Sequence, residues 1–378
     1  MTKNIFFYFS VVLTLVLTSC QKKIDLIVHN ASIYTMSNNI GRASSFAVDD
    51  GKFIAVGGEE LLNRFKANKV LDLKELPVYP GFIDSHCHFL SLGLSLQKVN
   101  LTGTRSFEEV IGRVKDFAKN KKLKAIVGRG WDQNDWKEKK FPNKTILDEL
   151  FPEIPVALRR IDGHALLVNQ KALDLAGIDV NTKIKGGSII KENGKLTGIL
   201  VDAPMRLISN ILPKPSKTEK IKALKDAEKI SFENGLTTVS IAGLNKDDIY
   251  LIDSLQKSDE LSIRVYAMIS NNEDNIAHFL LNGPITTDKL NVRSFKIYAD
   301  GALGSRGAAL KSDYSDLKKH RGSFITSKDS LENLAYKLAT TSFQMNTHAI
   351  GDDANKAVLE AYNKALVFLD DPRWRIEH

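Results

Sequence analysis

The chain has 378 residues, of which 43% are hydrophobic and 26% are charged, with 24 Gly, 10 Pro and only 2 Cys. This composition excludes a disordered chain, a collagen-like repeat and a disulfide scaffold, and the length suits one α/β barrel or two ordinary domains. The formal charge of +8 is a small excess of 53 basic over 45 acidic side chains, which does not indicate nucleic-acid binding.

The first residues have the pattern of an export signal. Lys3 precedes an apolar run from Ile5 to Leu17, which as a helix would span roughly 20 Å, less than the ~30 Å of a bilayer core. A cleaved signal is therefore favoured over a membrane helix. The string LTSC, which ends at Cys20, resembles the lipobox of bacterial lipoproteins. It predicts a signal peptide over 1–19, a lipidated tether over 20–23, and an exported protein anchored in the bacterial cell envelope and facing the periplasm.

Residues 24–76 are predicted to form a small β-subdomain. The segments 24–36 and 45–57 are rich in β-branched and apolar residues, and the pair Asp50-Gly51 is typical of a hairpin turn within the second segment.

From residue 77 to residue 378, strands and helices are predicted to alternate, which indicates parallel strands with helical crossovers. The predicted barrel strands are 78–84, 236–242, 263–269, 292–299, 343–348 and 373–378. The predicted helices between them are 217–234, 246–257, 273–281, 328–343 and 353–368. A closed (β/α)8 barrel needs eight strands, so about six strands would leave the barrel incomplete.

A long insert, about 100–215, follows the first predicted barrel strand. It is expected to contain a helix at 106–120, strands near 124–129 and 155–161, and a hairpin around Asn193-Gly194.

His86 and His88 lie two residues apart at the end of the first predicted barrel strand. The period of a strand places both imidazoles on one face, at the rim where barrel active sites are built. Two solvated histidines are the alternative for such a pair, but the position directly after VYPGFID favours a metal-binding pair.

Lys296 belongs to a strand in which polar and apolar residues alternate. In SFKIYAD the apolar face would pack on helices, which places the lysine inside the barrel, where a lysine is rarely found without a partner. An internal salt bridge, for example to Asp300, is the structural alternative. His348 and His378 also end predicted parallel strands, so four histidines and one lysine are expected to converge.

Six motifs in order, PGFIDSHCH, GRGWDQNDW, RRIDGHALLVN, KIYADGALGSR, THAIGDDAN and RIEH, resemble the amidohydrolase superfamily. Within it they resemble the branch of N-substituted formamide deformylase and related predicted metal-dependent hydrolases of the amidohydrolase 3 type. The resemblance runs from about residue 24 to the end of the sequence. It implies an α/β fold, a TIM-type (β/α)8 barrel joined to a β-subdomain that is half of a composite β-sandwich.

The same resemblance implies a metal centre. Its ligands would be His86, His88, His348, His378 and Lys296, the last carboxylated by CO2 so that it is an anion. The expected cofactor is one or two divalent ions, zinc first among them. The implied reaction is hydrolysis of carbon–nitrogen bonds other than peptide bonds, of amide or formamide type, by attack of a metal-activated hydroxide on the carbonyl.

The catalytic aspartate of the family would lie beyond His378, as would the last two barrel strands and the rest of the β-subdomain. The expectation from the sequence is therefore an apparently truncated chain whose folding and activity are impaired, with a general base missing.

The insert and the loop after Lys296 carry the predicted substrate contacts. These are Trp131, Asp132, Asp162, His164 and Arg306. Trp131 has core packing as its alternative, and Arg306 has an exposed loop position as its alternative.

The expected partners are a small-molecule amide-type substrate and, as one option, a second copy of the chain. No nucleic acid is expected, and membrane contact is expected only through the lipid anchor. Two other functions are considered: a lipid-anchored envelope protein that binds a ligand without catalysis or is an inactive remnant, and a cyclic-amide hydrolase or deaminase of the same superfamily. The motifs GRGWDQNDW and RIDGH argue against the latter.

Overall fold

The structure is a computed structural model, and its chain divides into two compact units, Met1–Phe82 and Ile83–His378. The described residues are 21–163, 165–184, 187–303 and 307–378, with the side chain of Asp202 left out. The predicted signal peptide and Cys20 lie outside these ranges, as do His164 and Arg306. Within the described ranges, none of the helices combines the length and apolar character that crossing a membrane would require.

The first unit consists of two small sheets. Its elements are β1 Lys22–His29, β2 Ser32–Tyr34, β3 Arg42–Ala43, β4 Ser45–Asp49, β5 Lys52–Gly57, α1 Leu61–Arg64, β6 Phe65–Asp72 and β7 Pro77–Val78. One sheet has the order β5-β4-β1-β6 and the other the order β3-β2-β7. Asp50 and Gly51 turn between β4 and β5 with φ of 50° and 68°, as the hairpin prediction requires.

The second unit contains the remaining elements. Its strands are β8 Phe82–Cys87, which begins at the unit boundary, β9 Val99–Asn100, β10 Ile126–Trp131, β11 Val156–Arg160, β12 Ala165–Val168, β13 Gly187–Glu192, β14 Lys195–Asp202, β15 Leu236–Leu244, β16 Arg264–Ser270, β17 Ile285–Thr286, β18 Leu290–Tyr298, β19 Gln344–His348 and β20 Arg375–Glu377. Its helices are α2 Phe89–Leu96, α3 Phe107–Ala118, α4 Thr145–Leu150, α5 Gln170–Leu175, α6 Met205–Ile211, α7 Lys217–Glu233, α8 Lys246–Lys257, α9 Glu273–Asn282, α10 Lys328–Ala339 and α11 Asp352–Ala365.

Six of these strands form a nearly closed barrel of the TIM type. In the sheet they follow chain order, β8-β15-β16-β18-β19-β20, and the pairings from β15 to β20 are parallel. The strand β17 adds an antiparallel pairing to β18. The two edge strands approach each other at one end, where His86 of β8 is hydrogen-bonded to Glu377 of β20. The prediction of an α/β barrel with about six strands is confirmed.

The apolar face of β18 packs into the main hydrophobic core together with helix residues, as the alternation in SFKIYAD predicts. Phe295, Ile297 and Ala299 are all buried in the main hydrophobic core. The helices α2 and α7 approach closely at Gly93, where a Cβ atom would lie 1.9 Å from the carbonyl oxygen of Ala223. Only glycine fits this helix crossing.

The insert between α2 and α7 forms a sheet of its own with the order β13-β14-β12-β11-β10-β9. The strands β9, β10 and β11 are parallel, and the other pairings are antiparallel. Because side chains alternate along a strand, Leu158 belongs to the core formed with α3 and α4, whereas its neighbour Ala157 belongs to the core formed with α5 and α6.

The first barrel strand begins four residues later than the sequence predicts. Val78 pairs with Ile33 in the small sheet of the first unit, so the barrel strand covers Phe82–Cys87 instead of 78–84. As a result His86 lies within the strand, and His88 directly follows it.

Candidate active site

Four histidines meet at one end of the barrel sheet. His86 and His88 come from the end of β8, His348 is the last residue of β19, and His378 follows β20. The ring centroids of His86 and His88 are 5.7 Å apart, and the ring of His378 lies 4.6 Å from those of both His86 and His348. The predicted convergence of these side chains is therefore present in the structure.

Two of the histidines differ in how their ring nitrogens are engaged. Nδ1 of His86 is hydrogen-bonded to Oε2 of Glu377, while Nε2 of His86 is buried and has no hydrogen-bond partner within the described part of the chain. Nε2 of His348 lies 3.4 Å from the carbonyl oxygen of Gly301 and 3.6 Å from Oδ1 of Asp300. His86 thus has one nitrogen oriented by a carboxylate and the other free to bind.

Lys296 is buried in the barrel interior, with only 1% of its surface exposed. Its Nζ has no hydrogen-bond partner among the described residues and lies 5.2 Å from the ring centroid of Tyr298. Burial lowers the pKa of Lys296 to about 8, a shift that the charge of Glu377 opposes and that of Arg375 reinforces. The interior position predicted from the alternation is correct.

Asp300 does not serve as the counter-ion that the structural alternative proposed for Lys296. Its buried carboxylate accepts hydrogen bonds from three backbone N–H groups, those of Ala309 at 2.8 Å, Ile350 at 3.0 Å and Gly351 at 2.8 Å. These bonds make Asp300 the residue that joins the loop after β18 to the loop after β19.

Three of the four histidines are in surroundings that favour the uncharged ring. Burial is the largest cause that lowers the pKa of His88, His348 and His378 below the ordinary value. For His88 the neighbouring His86 and Lys296 act in the same direction. The neutral imidazole is the form of histidine that binds metal ions.

Two residues of the site, Glu377 and Arg375, were not predicted from the sequence. Glu377 is 6% exposed, and its Oε1 lies 3.0 Å from Nη2 of Arg375. The same Arg375 nitrogen is 3.4 Å from Oγ of Ser240 on β15. The available signal was the acidic residue directly before His378 in RIEH, because charged residues at a barrel strand end rarely lack a role.

The donor atoms of the four histidines and Lys296 are of the chemical types that bind a divalent cation. Within the described ranges, no three His, Cys, Asp or Glu side chains already stand as a ligand set for a metal ion. The buried His86 Nε2 and Lys296 Nζ are nevertheless unsatisfied, which is costly unless a ligand is bound there. Neutral imidazoles are the donors that zinc and similar ions accept.

The predicted substrate contact Trp131 is a core residue in the structure. It is 1% exposed, its Nε1 donates a hydrogen bond of 2.7 Å to the carbonyl oxygen of Leu158, and its ring lies 6.0 Å from that of Trp136. The packing alternative is correct, because no face of this indole is left to contact a substrate.

Asp132 and Asp162 are joined by Arg160, which the sequence analysis did not single out. Arg160 donates to Asp132 and to Asp162, the latter at 2.6 Å, and its Nε donates to Gln133 at 2.8 Å. Asp132 also accepts the backbone N–H of Asn134 at 2.9 Å. Both carboxylates therefore have structural partners. The predictions for His164 and Arg306 lie outside the described residues.

Curated proteins similar to this chain include two bacterial relatives. The "Putative amidohydrolase YtcJ" of Bacillus subtilis is 31% identical over 89% of this chain. The "N-substituted formamide deformylase" of Arthrobacter pascens is 25% identical over 89% of this chain. The chain spans 65% of the length of each of them.

A solved crystal structure has a fold similar to that of this chain. The crystal structure of an uncharacterized metal-dependent hydrolase from Pyrococcus horikoshii matches 93% of this chain and 70% of that chain, with 27% identity and a TM-score of 0.76. The family model described as "Amidohydrolase family" matches residues 69–378. The resemblance seen in the motifs is thereby confirmed, and the chain belongs to the amidohydrolase family.

Proposed function

We propose that this protein is a metal-dependent hydrolase of carbon–nitrogen bonds other than peptide bonds, acting on small amides or formamides. The observation that carries the proposal is the convergence of four histidines and a buried lysine, which has no hydrogen-bond partner among the described residues, at one end of a parallel barrel. The names of the relatives, an amidohydrolase and a formamide deformylase, support this substrate class.

In this proposal the metal ligands are His86, His88, His348, His378 and a carboxylated Lys296, with zinc as the first metal to test. Carboxylation would turn a costly buried ammonium into an anionic ligand, which suits an interior lysine whose Nζ has no hydrogen-bond partner among the described residues. When bound, a divalent cation would polarise the carbonyl and make a water molecule acidic enough to be deprotonated near neutral pH.

The remaining residues of the site position these ligands. Glu377 accepts a hydrogen bond from Nδ1 of His86, which fixes the tautomer that leaves Nε2 as the binding nitrogen. Arg375 pairs with Glu377 and reaches Ser240 on β15, so it holds the Glu377 side chain in place beside His86. Asp300 joins the loop after β18 to the loop that follows His348 through its hydrogen bonds with backbone N–H groups.

The test compares hydrolysis of N-alkylformamides and simple acetamides by the full chain before and after removal of metal with a chelator. Turnover should disappear after chelation and return with zinc. His348→Asn should abolish turnover, whereas His278→Asn should not, because His278 lies on α9 and contacts Tyr250 at 2.8 Å.

Turnover that survives chelation, or an equal loss in both histidine variants, would contradict the proposal. Activity on cyclic amides or on aminopurines but on no formamide would favour another reaction class of the superfamily. Metal binding without turnover of any substrate would favour the ligand-binding alternative, which the amidohydrolase relatives do not support.

We also propose that the protein is exported and anchored through an acylated Cys20 in the cell envelope. The support is the basic residue, apolar run and LTSC string at the start of the sequence. Metabolic labelling with a radioactive fatty acid should mark the wild-type chain and not Cys20→Ser. Equal labelling of both chains, or of neither, would contradict the anchor.

A further inference from the structure

A row of polar residues crosses one face of the insert sheet. Asn100 of β9 pairs in register with Arg129 of β10, and Arg129 pairs in register with Arg159 of β11. Residues paired in register on neighbouring strands point to the same face. Two arginines therefore stand side by side, an arrangement that is destabilising unless something between them carries negative charge.

This face forms the floor of a cavity of about 700 Å³, a volume in the range of small-molecule sites. Lys98, which precedes β9, lines the same cavity, as do Ser91 and Ser95 from α2. Among the described residues that line it there is no Asp or Glu. The cavity thus gathers three cationic side chains and neutral hydrogen-bond donors, without an acidic group.

The two arginines use only part of their hydrogen-bonding capacity on the protein. Nη2 of Arg129 donates to the carbonyl oxygen of Ile161 at 3.3 Å, and Nη1 of Arg159 donates to the carbonyl oxygen of Gly163 at 3.2 Å. Within the described ranges, no carboxylate forms an ion pair with Lys98, Arg129 or Arg159, although each guanidinium has five donor groups.

The adjacent Arg160 shows what a structural arginine looks like in this sheet. It points to the other face, where it binds the carboxylates of Asp132 and Asp162 and the amide oxygen of Gln133. Arg159 is half-buried without such partners, and desolvation together with the charge of Arg129 lowers its pKa. Desolvation lowers the pKa of Lys98, and the charges of Arg159 and Arg129 lower it further.

We propose that this cavity is a binding site for a small oxyanion, the carboxylate or phosphate group of an organic molecule, held between Arg129 and Arg159. Planar guanidinium groups match both oxyanions with paired hydrogen bonds, and Lys98 adds a third charge. The site is distinct in its residues from the histidine cluster, and it does not depend on the proposed hydrolase activity.

Isothermal titration of the full chain, stripped of metal with a chelator and then freed of the chelator by buffer exchange, tests the proposal with inorganic phosphate and with succinate as probes. We expect saturable binding of at least one probe, and the double variant Arg129→Gln/Arg159→Gln should bind about tenfold or more weakly. Lys229→Gln is the control, because Lys229 is exposed on α7 and lies 3.9 Å from Glu233. It should bind as the wild type does.

Thermal melting provides a second measurement. The bound probe should raise the Tm of the wild type and not that of the double variant. Without probe the double variant should melt close to the wild type, since the lost repulsion offsets the loss of two long hydrogen bonds to backbone carbonyl oxygens. Tighter binding of phosphate or of succinate assigns the oxyanion. Absence of saturable binding of both probes to the wild type, or equal binding by the double variant, would overturn the proposal.

Discussion

The barrel and the insert both carry motifs typical of a functional site, yet their polar groups differ in how fully they are satisfied. In the barrel, His86 Nε2 and Lys296 Nζ are buried and have no hydrogen-bond partner in the part of the chain that the structure describes. In the insert, the indole N–H of Trp131 and the carboxylate of Asp132 have protein partners of good geometry.

This difference separates binding groups from structural groups better than the motifs do. A folded chain rarely leaves a buried donor or acceptor unsatisfied, since each costs about 1–3 kcal/mol. An unsatisfied group near others of matching chemistry therefore indicates a missing ligand, whereas a satisfied one indicates packing. Both regions can be tested on this basis.

The largest expected effect is that of Lys296→Met. We expect turnover to fall about 10³-fold or more, because several kcal/mol of metal-dependent stabilisation would be lost. In the metal-free protein the Tm should stay the same or rise, because an apolar side chain of similar length replaces a buried amine that has no hydrogen-bond partner among the described residues. Turnover assays and thermal melting measure the two effects.

The control for Lys296→Met is Lys222→Met, which removes an exposed ammonium on α7 that pairs with Asp226. It should change neither property appreciably. A clear drop in the Tm of Lys296→Met with normal turnover would mean that the lysine is a structural residue.

Trp131→Ala should lower the free energy of unfolding by about 3–5 kcal/mol, the usual cost of emptying a buried aromatic position. Trp131→Phe should cost about 1–2 kcal/mol, since it keeps a ring but loses the hydrogen bond to Leu158. Urea unfolding measures both values. If Trp131→Phe folds normally but loses turnover, the residue contacts substrate after all.

The smallest expected effect is a difference in the free energy of unfolding between variants of the adjacent residues Arg160 and Arg159. Arg160→Met should lower the free energy of unfolding by about 1–3 kcal/mol, because it leaves Asp132 and Asp162 without their shared partner. Arg159→Met should destabilise the protein clearly less than Arg160→Met, because it removes one hydrogen bond to the carbonyl oxygen of Gly163 and also the repulsion with Arg129. Urea unfolding of the two variants measures this difference. If both variants are destabilised equally, Arg159 is as much a structural residue as Arg160.

Much of the barrel could be predicted because its signals are local. Each strand is a short apolar run followed by an amphipathic helix, and the order in the sheet follows the order in the chain. The strands β9 and β12 were not predicted, since two and four residues are too few to show a period. Val78 was assigned to the wrong sheet because its partner, Ile33, is remote in sequence.

The candidate site shows the same limit. The histidines and Lys296 were found from spacing and alternation, which are properties of single strands. Glu377 was missed because its role comes from His86, which lies 291 positions away in the chain. Trp131 could not be assigned from the sequence, because only the tertiary structure shows that Leu158 and Trp136 enclose it.

The neighbouring position of β8 and β15 in the barrel sheet has a consequence for folding kinetics. Leu236 follows Cys87 by 149 positions, whereas Arg264 follows Leu244 by 20, so joining β8 to β15 closes by far the larger loop. Loop-closure entropy makes such contacts form late unless the intervening chain has already become compact. The insert has hydrophobic cores of its own. If the insert collapses early, the effective loop is shorter and β8 can join β15 sooner. If it does not, His86 and His88 would meet the other histidines in one of the last steps of folding.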